Sequence, residues 1–277
     1  MENNRRGNNN ERELRFYDEL APITPIRTPE FHSGWYDPDT EHFMLIQEAI
    51  DVDENVDQIE GISVEQAILV IDEVASLHST WWEHPDLKKI EWLPTPDQRK
   101  KNLSVIASAG WEPLCEMLKG ELNEQEISFG SKITQRVDEM LDVLSSHPQT
   151  LIHSDLRADN LLFTREGNKV FIVDWQGTSK GPAGWDLAYF LTSSLSVETR
   201  KENEEMLLDH YVNALKATGK NIDRDQALAG YADGILYGLV IACSLPLISD
   251  ENEKRVKELA SVIARRSIEA MKDHNKF

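Results

Sequence analysis

The run His153-Ser154-Asp155-Leu156-Arg157-Ala158-Asp159-Asn160, followed after a short hairpin by Phe171-Ile172-Val173-Asp174-Trp175, sets out the groups of a phosphoryl-transfer site in reading order. That reaction asks little covalent chemistry of a protein. It needs a carboxylate to accept the hydroxyl proton, oxygen ligands for magnesium, and positive charge near the migrating phosphoryl group. In the loop pattern H-R-D-L-x-x-x-N the Asp receives the proton and the Asn, five positions on, turns its side-chain carbonyl toward a magnesium ion. Here those roles fall on Asp155 and Asn160. Arg157 stands two positions after the base, where a cation neutralises the transferring phosphate, and a guanidinium can do so bidentately.

Position of these groups depends on the segment that follows. Leu161-Leu162-Phe163-Thr164, the polar turn Arg165-Glu166-Gly167-Asn168 and Val170-Phe171-Ile172-Val173 read as a hairpin. Folding it back brings Asp174 beside Asn160. Magnesium prefers carboxylate and amide oxygens and keeps waters and substrate phosphates as its other ligands, so two protein oxygens suffice. A lone H-x-D triplet means little, and Asp or Asn beside a strand is commonly a turn former. The ordered set of base, cation, amide, hairpin and second carboxylate is what carries the reading. His153 is expected to brace the loop rather than do chemistry. Asp186 follows the Gly/Pro-rich turn Gly181-Pro182-Ala183-Gly184 and opens an apolar helical run, so its simplest role is a helix cap. In kinase-like folds an Asp at this place also holds the backbone of the catalytic loop.

HSDLRADNLLF, IVDWQ and GPAGWDLAYFL resemble the aminoglycoside phosphotransferase and choline kinase-like superfamily, particularly its ecdysteroid kinase-like and related bacterial branches. Weaker echoes at residues 11–17, 75–82 and 236–239 extend the likeness over nearly the whole chain. The resemblance implies an α+β, protein kinase-like, two-lobed fold with a mostly helical C-terminal lobe. It also implies ATP and magnesium as cofactors and phosphorylation of a hydroxyl on a small molecule. By the same resemblance Glu13 is the helix carboxylate that pairs with a nucleotide-anchoring Lys. Gln47, Glu48 and Ala49, after the strand-like Phe43-Met44-Leu45-Ile46, form the hinge whose backbone meets adenine.

The resemblance also calls for a glycine-rich loop and a strand Lys upstream of the Glu13 helix. Only twelve residues precede Glu13, they contain no apolar run, and no Lys occurs before Lys88. Arg5 and Arg6 lie in a stretch with the composition of a frayed terminus. The expectation is therefore a truncated N-terminal lobe, residues 1–50, followed by a catalytic and substrate lobe, 51–277. Its uncovered strand edge is a candidate site of self-association. The alternative is a catalytically inactive binding or regulatory module.

A 277-residue chain with 40% hydrophobic content supports a real core. The two cysteines, Cys115 and Cys243, lack metal-type spacing, and a reducing cytoplasm fits. A net charge of −20 argues against nucleic-acid partners. It is compatible with a cationic substrate, although solubility explains it more simply. The N-terminus has no signal-type apolar segment, and the apolar stretch 234–248 is too short to span a bilayer, so no membrane is expected. There is no G-x-S-x-G, H-E-x-x-H or P-loop motif to suggest a hydrolase or another nucleotide enzyme.

Several elements must position the site. A helix is expected over 14–20, strands over 34–36 and 42–46, and a lobe boundary at the acidic stretch 51–57. A helix follows Ser63, whose pairing with Gln66 reads as a capping box. Further helices are expected at 111–120, 131–146, 186–195, 197–217, 223–245 and 251–272. Only eleven residues separate Asp174 from Asp186, which leaves no room for a long peptide-binding segment and favours a small substrate. Trp81, Trp82, Trp175 and Trp185 are candidates to line its cleft, although tryptophans at such spacing more often belong to the core.

Overall fold

In a computed structural model, which describes residues 9–52, 56–166, 168–248 and 254–277, the chain is predominantly helical with three two-stranded antiparallel sheets. Helix α1, Asn9–Arg15, runs on as a wider π-type turn over Phe16–Leu20. Strands β1, Phe31–Tyr36, and β2, Phe43–Gln47, pair with Gly34 opposite Leu45 and Trp35 opposite Met44. Alternation along the strands turns Trp35, Met44 and Ile46 outward, each exposed by 40% or more. Ile172, in the hairpin that precedes Asp174, donates its amide to the Arg27 carbonyl at 2.9 Å, and Val52 bridges Thr164. The predicted boundary thus runs beside the hairpin, although residues 53–55 and the two arginines at positions 5 and 6 lie outside the described residues.

Helix α2, Val64–Trp81, starts at the predicted box: Ser63 Oγ accepts the Gln66 amide while Gln66 Oε1 accepts the Ser63 amide. Its apolar stripe of Ala67, Val70, Ile71, Val74 and Leu77 is fully buried. It packs on α7, Val197–Ala217, through residues such as Leu207, Tyr211 and Leu215.

Helix α3, Pro96–Met117, begins fifteen residues before the expected 111. A second capping box, Thr95 with Gln98, and Pro96 in the first turn start it there, and it continues through Pro113. A short α4, Glu124–Phe129, precedes α5, Ile133–Ser146.

The segment expected as one helix over 223–245 is divided into α8, Arg224–Ala227, α9, Tyr231–Gly234, and α10, Leu236–Ile248. Gly230 separates α8 from α9, because its φ of +79° leaves the right-handed helix. Residues 224–248 together are long and apolar enough to cross a membrane, a longer run than the 234–248 considered from sequence. Here α10 instead packs on α3 and on α11, Lys254–Asp273. The approach to α3 is close: a Cβ on Gly110 would sit 1.9 Å from the Cys243 carbonyl oxygen. The expected start of α11 at 251 falls outside the described residues.

Four short strands frame the candidate site. β3, Thr150–Ile152, pairs with β6, Ser179–Gly181, and β4, Leu161–Phe163, pairs with β5, Val170–Ile172, as the expected hairpin. α6, Ala183–Ser194, follows β6 and is buried along its whole length.

Candidate active site

β3 delivers the chain to Ser154, whose φ of +64° is rare for a residue with a side chain. Asp186 holds that turn. Its carboxylate accepts the His153 amide at 2.6 Å and the Ser154 amide at 2.7 Å, and meets His78 Nε2 at 3.3 Å. Asp186 lies inside the first turn of α6, with Pro182 at the cap position, so it is not the helix cap expected from sequence. His78 Nδ1 reaches the Tyr211 hydroxyl at 2.9 Å, which extends a buried polar chain into the helical core. His153 Nδ1 accepts the Asp155 amide at 3.2 Å, so its Nε2 carries the proton donated to the Val173 carbonyl at 3.0 Å. The ring also leans on Trp175 at 4.5 Å. His153 is thus a brace between the two halves of the motif.

Asn160 joins the candidate base to the candidate metal position. Its Nδ2 donates to the Asp155 carbonyl at 2.8 Å and to Asp155 Oδ2 at 3.1 Å, which leaves Oδ1 free to ligate. The Val173 amide donates to the Asn160 carbonyl at 3.0 Å, which brings Asp174 alongside. Asp174 has φ +64°, and its carboxylate has no hydrogen-bond or ion-pair partner among the described residues. Burial pushes the Asp155 carboxyl above its ordinary value, and the Arg157 charge works against that rise. Arg157 is not a loose cation. It donates to Gln58 Oε1 at 2.6 Å and Asp159 Oδ2 at 2.7 Å, and its Nε lies 3.4 Å from Asp155.

Glu13 on α1 is buried, and its Oε1 accepts the Trp175 amide at 3.3 Å. Burial and the charge of Asp174 push its carboxyl up to about 7, with the Trp175 amide opposing. Gln47 ends β2, and Glu48 and Ala49 are exposed just beyond it. The Glu48 amide is already bonded to the Glu30 carbonyl at 2.9 Å, so of the expected hinge donors that one is taken. The Gln47 side chain lies beside the Tyr17 hydroxyl and opposes its upward shift, but neither Gln47 Nε2 nor that hydroxyl completes a hydrogen bond of normal geometry. Burial, with the charges of Glu13 and Asp174, pushes the Tyr17 hydroxyl upward.

Such orphaned polar atoms are costly unless something polar meets them, and they fit a nucleotide lying between β2 and Glu13. Asn160 Oδ1 and the unpaired Asp174 carboxylate fit a hard cation that takes its remaining ligands from phosphate and water. Among the described residues no group of three or more His, Cys, Asp and Glu side chains forms a self-sufficient metal cage.

The tryptophans expected in a cleft belong to the core. Trp175 and Trp185 are fully buried, Trp81 is 4% exposed, and Trp82 packs partly buried against the same core. Trp175 stacks on Phe16 at 3.7 Å, which fixes α1 to the catalytic hairpin. Sequence reasoning did not single out Gln58, Asp159 or Arg266. The Gln58 amide donates to Asp159 Oδ1, while Arg266 donates to the carbonyls of Gln58, Ile59 and Ser193. Together they clamp Arg157 from a segment almost a hundred residues upstream. Only the unusual placement of Arg266 on an apolar helix face could have hinted at them.

The sequence profile of the ecdysteroid kinase-like family matches residues 37–224. An uncharacterised kinase-like protein of Caenorhabditis elegans is 27% identical over 179 residues, which is 59% of this chain and 44% of the relative. The chain spans less than half the length of the curated relatives it matches. Among solved structures, an ethanolamine kinase of Plasmodium vivax aligns over 96% of this chain and 72% of its own, with TM-score 0.58 and 13% identity. A GDP complex of an aminoglycoside 2'-phosphotransferase aligns over 98% and 83%, with TM-score 0.55 and 14% identity. These likenesses establish the α+β, protein kinase-like fold.

Proposed function

The chain belongs to the ecdysteroid kinase-like family, and on that premise we propose that it is a small-molecule kinase that transfers the γ-phosphoryl group of ATP to an alcohol. The observation that carries this reading is the double engagement of Asn160, whose side-chain nitrogen holds Asp155 while its main-chain carbonyl, bonded to the Val173 amide, ties it to the residue before Asp174. Magnesium bound there would supply charge neutralisation for the nucleotide phosphates. Asp155 accepts the proton of the acceptor hydroxyl as the oxygen attacks. Its upward-shifted pKa brings it nearer to the range in which a base works well. Arg157, fixed by Gln58 and Asp159, keeps Asp155 oriented and adds positive charge at the transfer point. Residues up to 50 serve the nucleotide, with Gln47, Glu48 and Ala49 near the base and Glu13 behind the phosphates, and residues from 51 onward serve catalysis and acceptor binding. The short 3-10 turn and β6 between Asp174 and Asp186 leave no room for a long peptide-binding segment, which supports a small acceptor.

The test is metal-dependent nucleotide binding. ATP and GTP, each with and without magnesium, are titrated into wild type and Asp174→Ala while the thermal midpoint is followed. The proposal expects a magnesium-dependent shift with ATP that Asp174→Ala loses while its circular dichroism spectrum is unchanged. An undiminished shift in the variant rejects the metal assignment, and a shift with GTP alone replaces the donor.

A further inference from the structure

Two arginines flank the candidate base without a carboxylate partner, in a chain with 49 acidic and 29 basic residues. Most arginines here meet acids, as Arg27 does with Glu73, Arg224 with Glu205, Arg255 with Asp57 and Arg265 with Glu126. Among the described residues Arg12 and Arg99 form no ion pair. Arg266 and Arg136 also lack one, but Arg266 spends its donors on three backbone carbonyls and Arg136 bonds the Lys276 carbonyl and lies over the Phe129 ring. Arg99 donates only to two hydroxyls, Ser179 Oγ at 3.3 Å and Tyr237 at 3.0 Å. Arg12 uses one nitrogen, toward the Gln176 carbonyl at 2.7 Å and Asn9 Oδ1 at 3.4 Å. A guanidinium carries five N–H donors. Both side chains are partly exposed, so donors remain for a ligand.

Both arginines connect to Asp155 by short routes. Ser179 Oγ, which Arg99 contacts, lies 2.6 Å from Ser154 Oγ, and Ser154 directly precedes Asp155. Gln176, which Arg12 contacts, precedes Gly177, where a Cβ would lie 3.4 Å from the Asp155 Cβ. The two guanidinium groups also sense each other: burial and then the charge of Arg99 lower Arg12 to about 10. Two like charges held together beside a transfer site are unfavourable until an anion joins them. Arg99 lies over the Trp185 ring at 5.1 Å and the Tyr237 ring at 5.5 Å, which fixes its plane. In the same aromatic cluster, buried Trp185 Nε1 completes no hydrogen bond.

We propose that Arg12 and Arg99 form an anion-accepting subsite beside Asp155, and that the acceptor is an alcohol carrying an acidic group, a carboxylate, phosphate or sulfate. The subsite faces the acceptor side because Arg99, Ser179 and Tyr237 sit on α3, β6 and α10, whereas the expected adenine segment ends β2; Arg12 reaches it from α1, an exception to the nucleotide role of the first fifty residues. The bidentate geometry of guanidinium suits such groups. The overall negative charge then disfavours bulk anions while a local pair of cations selects one.

This inference rests on the acceptor reading of the site, and its test measures binding without turnover so that the two fail separately. Inorganic sulfate is titrated into wild type, Arg12→Gln and Arg99→Gln, against sodium chloride at matched ionic strength, with and without ADP and magnesium. The expected result is a saturable sulfate-specific rise in thermal midpoint that persists with ADP and magnesium bound. Each variant should weaken sulfate by about tenfold, the equivalent of one charge-assisted hydrogen bond. No specific rise in wild type, or an equal rise in folded variants, overturns the subsite. If ADP with magnesium abolishes the sulfate effect, the arginines hold nucleotide phosphates and the acceptor assignment falls. A second measurement needs no variant: calorimetric binding of a hydroxy acid and its methyl ester to the ADP-loaded wild-type chain. The acid should bind at least about tenfold tighter, and equal binding contradicts the proposal.

Discussion

Ser154 keeps a left-handed backbone, φ +64°, while its amide donates to Asp186 Oδ1 at 2.7 Å. A side-chain-bearing residue in that region costs of order 1–3 kcal/mol and persists only where its surroundings fix it. Asp186 does so from a fully buried position, with the His153 amide on its other oxygen. The strained turn aims Asp155 out of β3 and toward Asn160, so the order of the catalytic loop depends on one carboxylate from α6.

Asp186→Ala should therefore lower stability by about 3 kcal/mol or more, because two buried amides and His78 lose their acceptor at once. Denaturant unfolding measures it. A loss below about 1 kcal/mol would mean that other groups hold the loop.

Asn160→Ala should separate two effects that Asp174→Ala does not. Loss of Oδ1 weakens metal binding, and loss of Nδ2 frees the Asp155 carboxylate. Raising magnesium should restore nucleotide binding but leave turnover depressed by about 10-fold or more, since orientation of the base is part of its effect. Full recovery of turnover at high magnesium would reduce Asn160 to a metal ligand.

A pH effect is expected far from the site. Burial alone would raise the Glu204 carboxyl, but hydrogen bonds from His274 and Tyr231, with the charge of Arg200, outweigh it and leave the group below the ordinary 4.5. A carboxyl lowered by folding stabilises the native chain above its unfolded value and loses that contribution as pH falls through its folded value. Glu204→Gln should be less stable than wild type by roughly 1–3 kcal/mol at pH 7. The gap should close as pH drops below 4.5. Unfolding curves at several pH values test the sign, and a gap that widens in acid refutes it.

The candidate site was legible in sequence where its parts are contiguous. Asp155, Arg157, Asn160 and Asp174 sit on one loop and one hairpin, and the register of β4 and β5 follows from the turn residues between them. The supports were not, because they arrive from distant segments: Gln58 meets Arg157 across 99 positions and Arg266 meets Gln58 across 208. His78 lies within the echo at 75–82 and was given no role of its own there, yet its ring meets Asp186. The early start of α3 was available in Thr95-Pro96-Asp97-Gln98 and was outweighed by the polar run that follows. Gly230 was hidden by the apolar composition around it, which suits a continuous helix as well as a broken one.

The central claim, that Asp155 accepts a hydroxyl proton in phosphoryl transfer, is tested most directly by label transfer from γ-labelled ATP to a panel of small alcohols in wild type and Asp155→Asn. The substitution keeps the shape of the side chain and removes its basicity. Wild type should give magnesium-dependent labelled product, and the variant should fall by roughly 10²- to 10⁴-fold with nucleotide affinity little changed. Equal transfer by the two proteins, with both folded and binding ATP, would contradict the account.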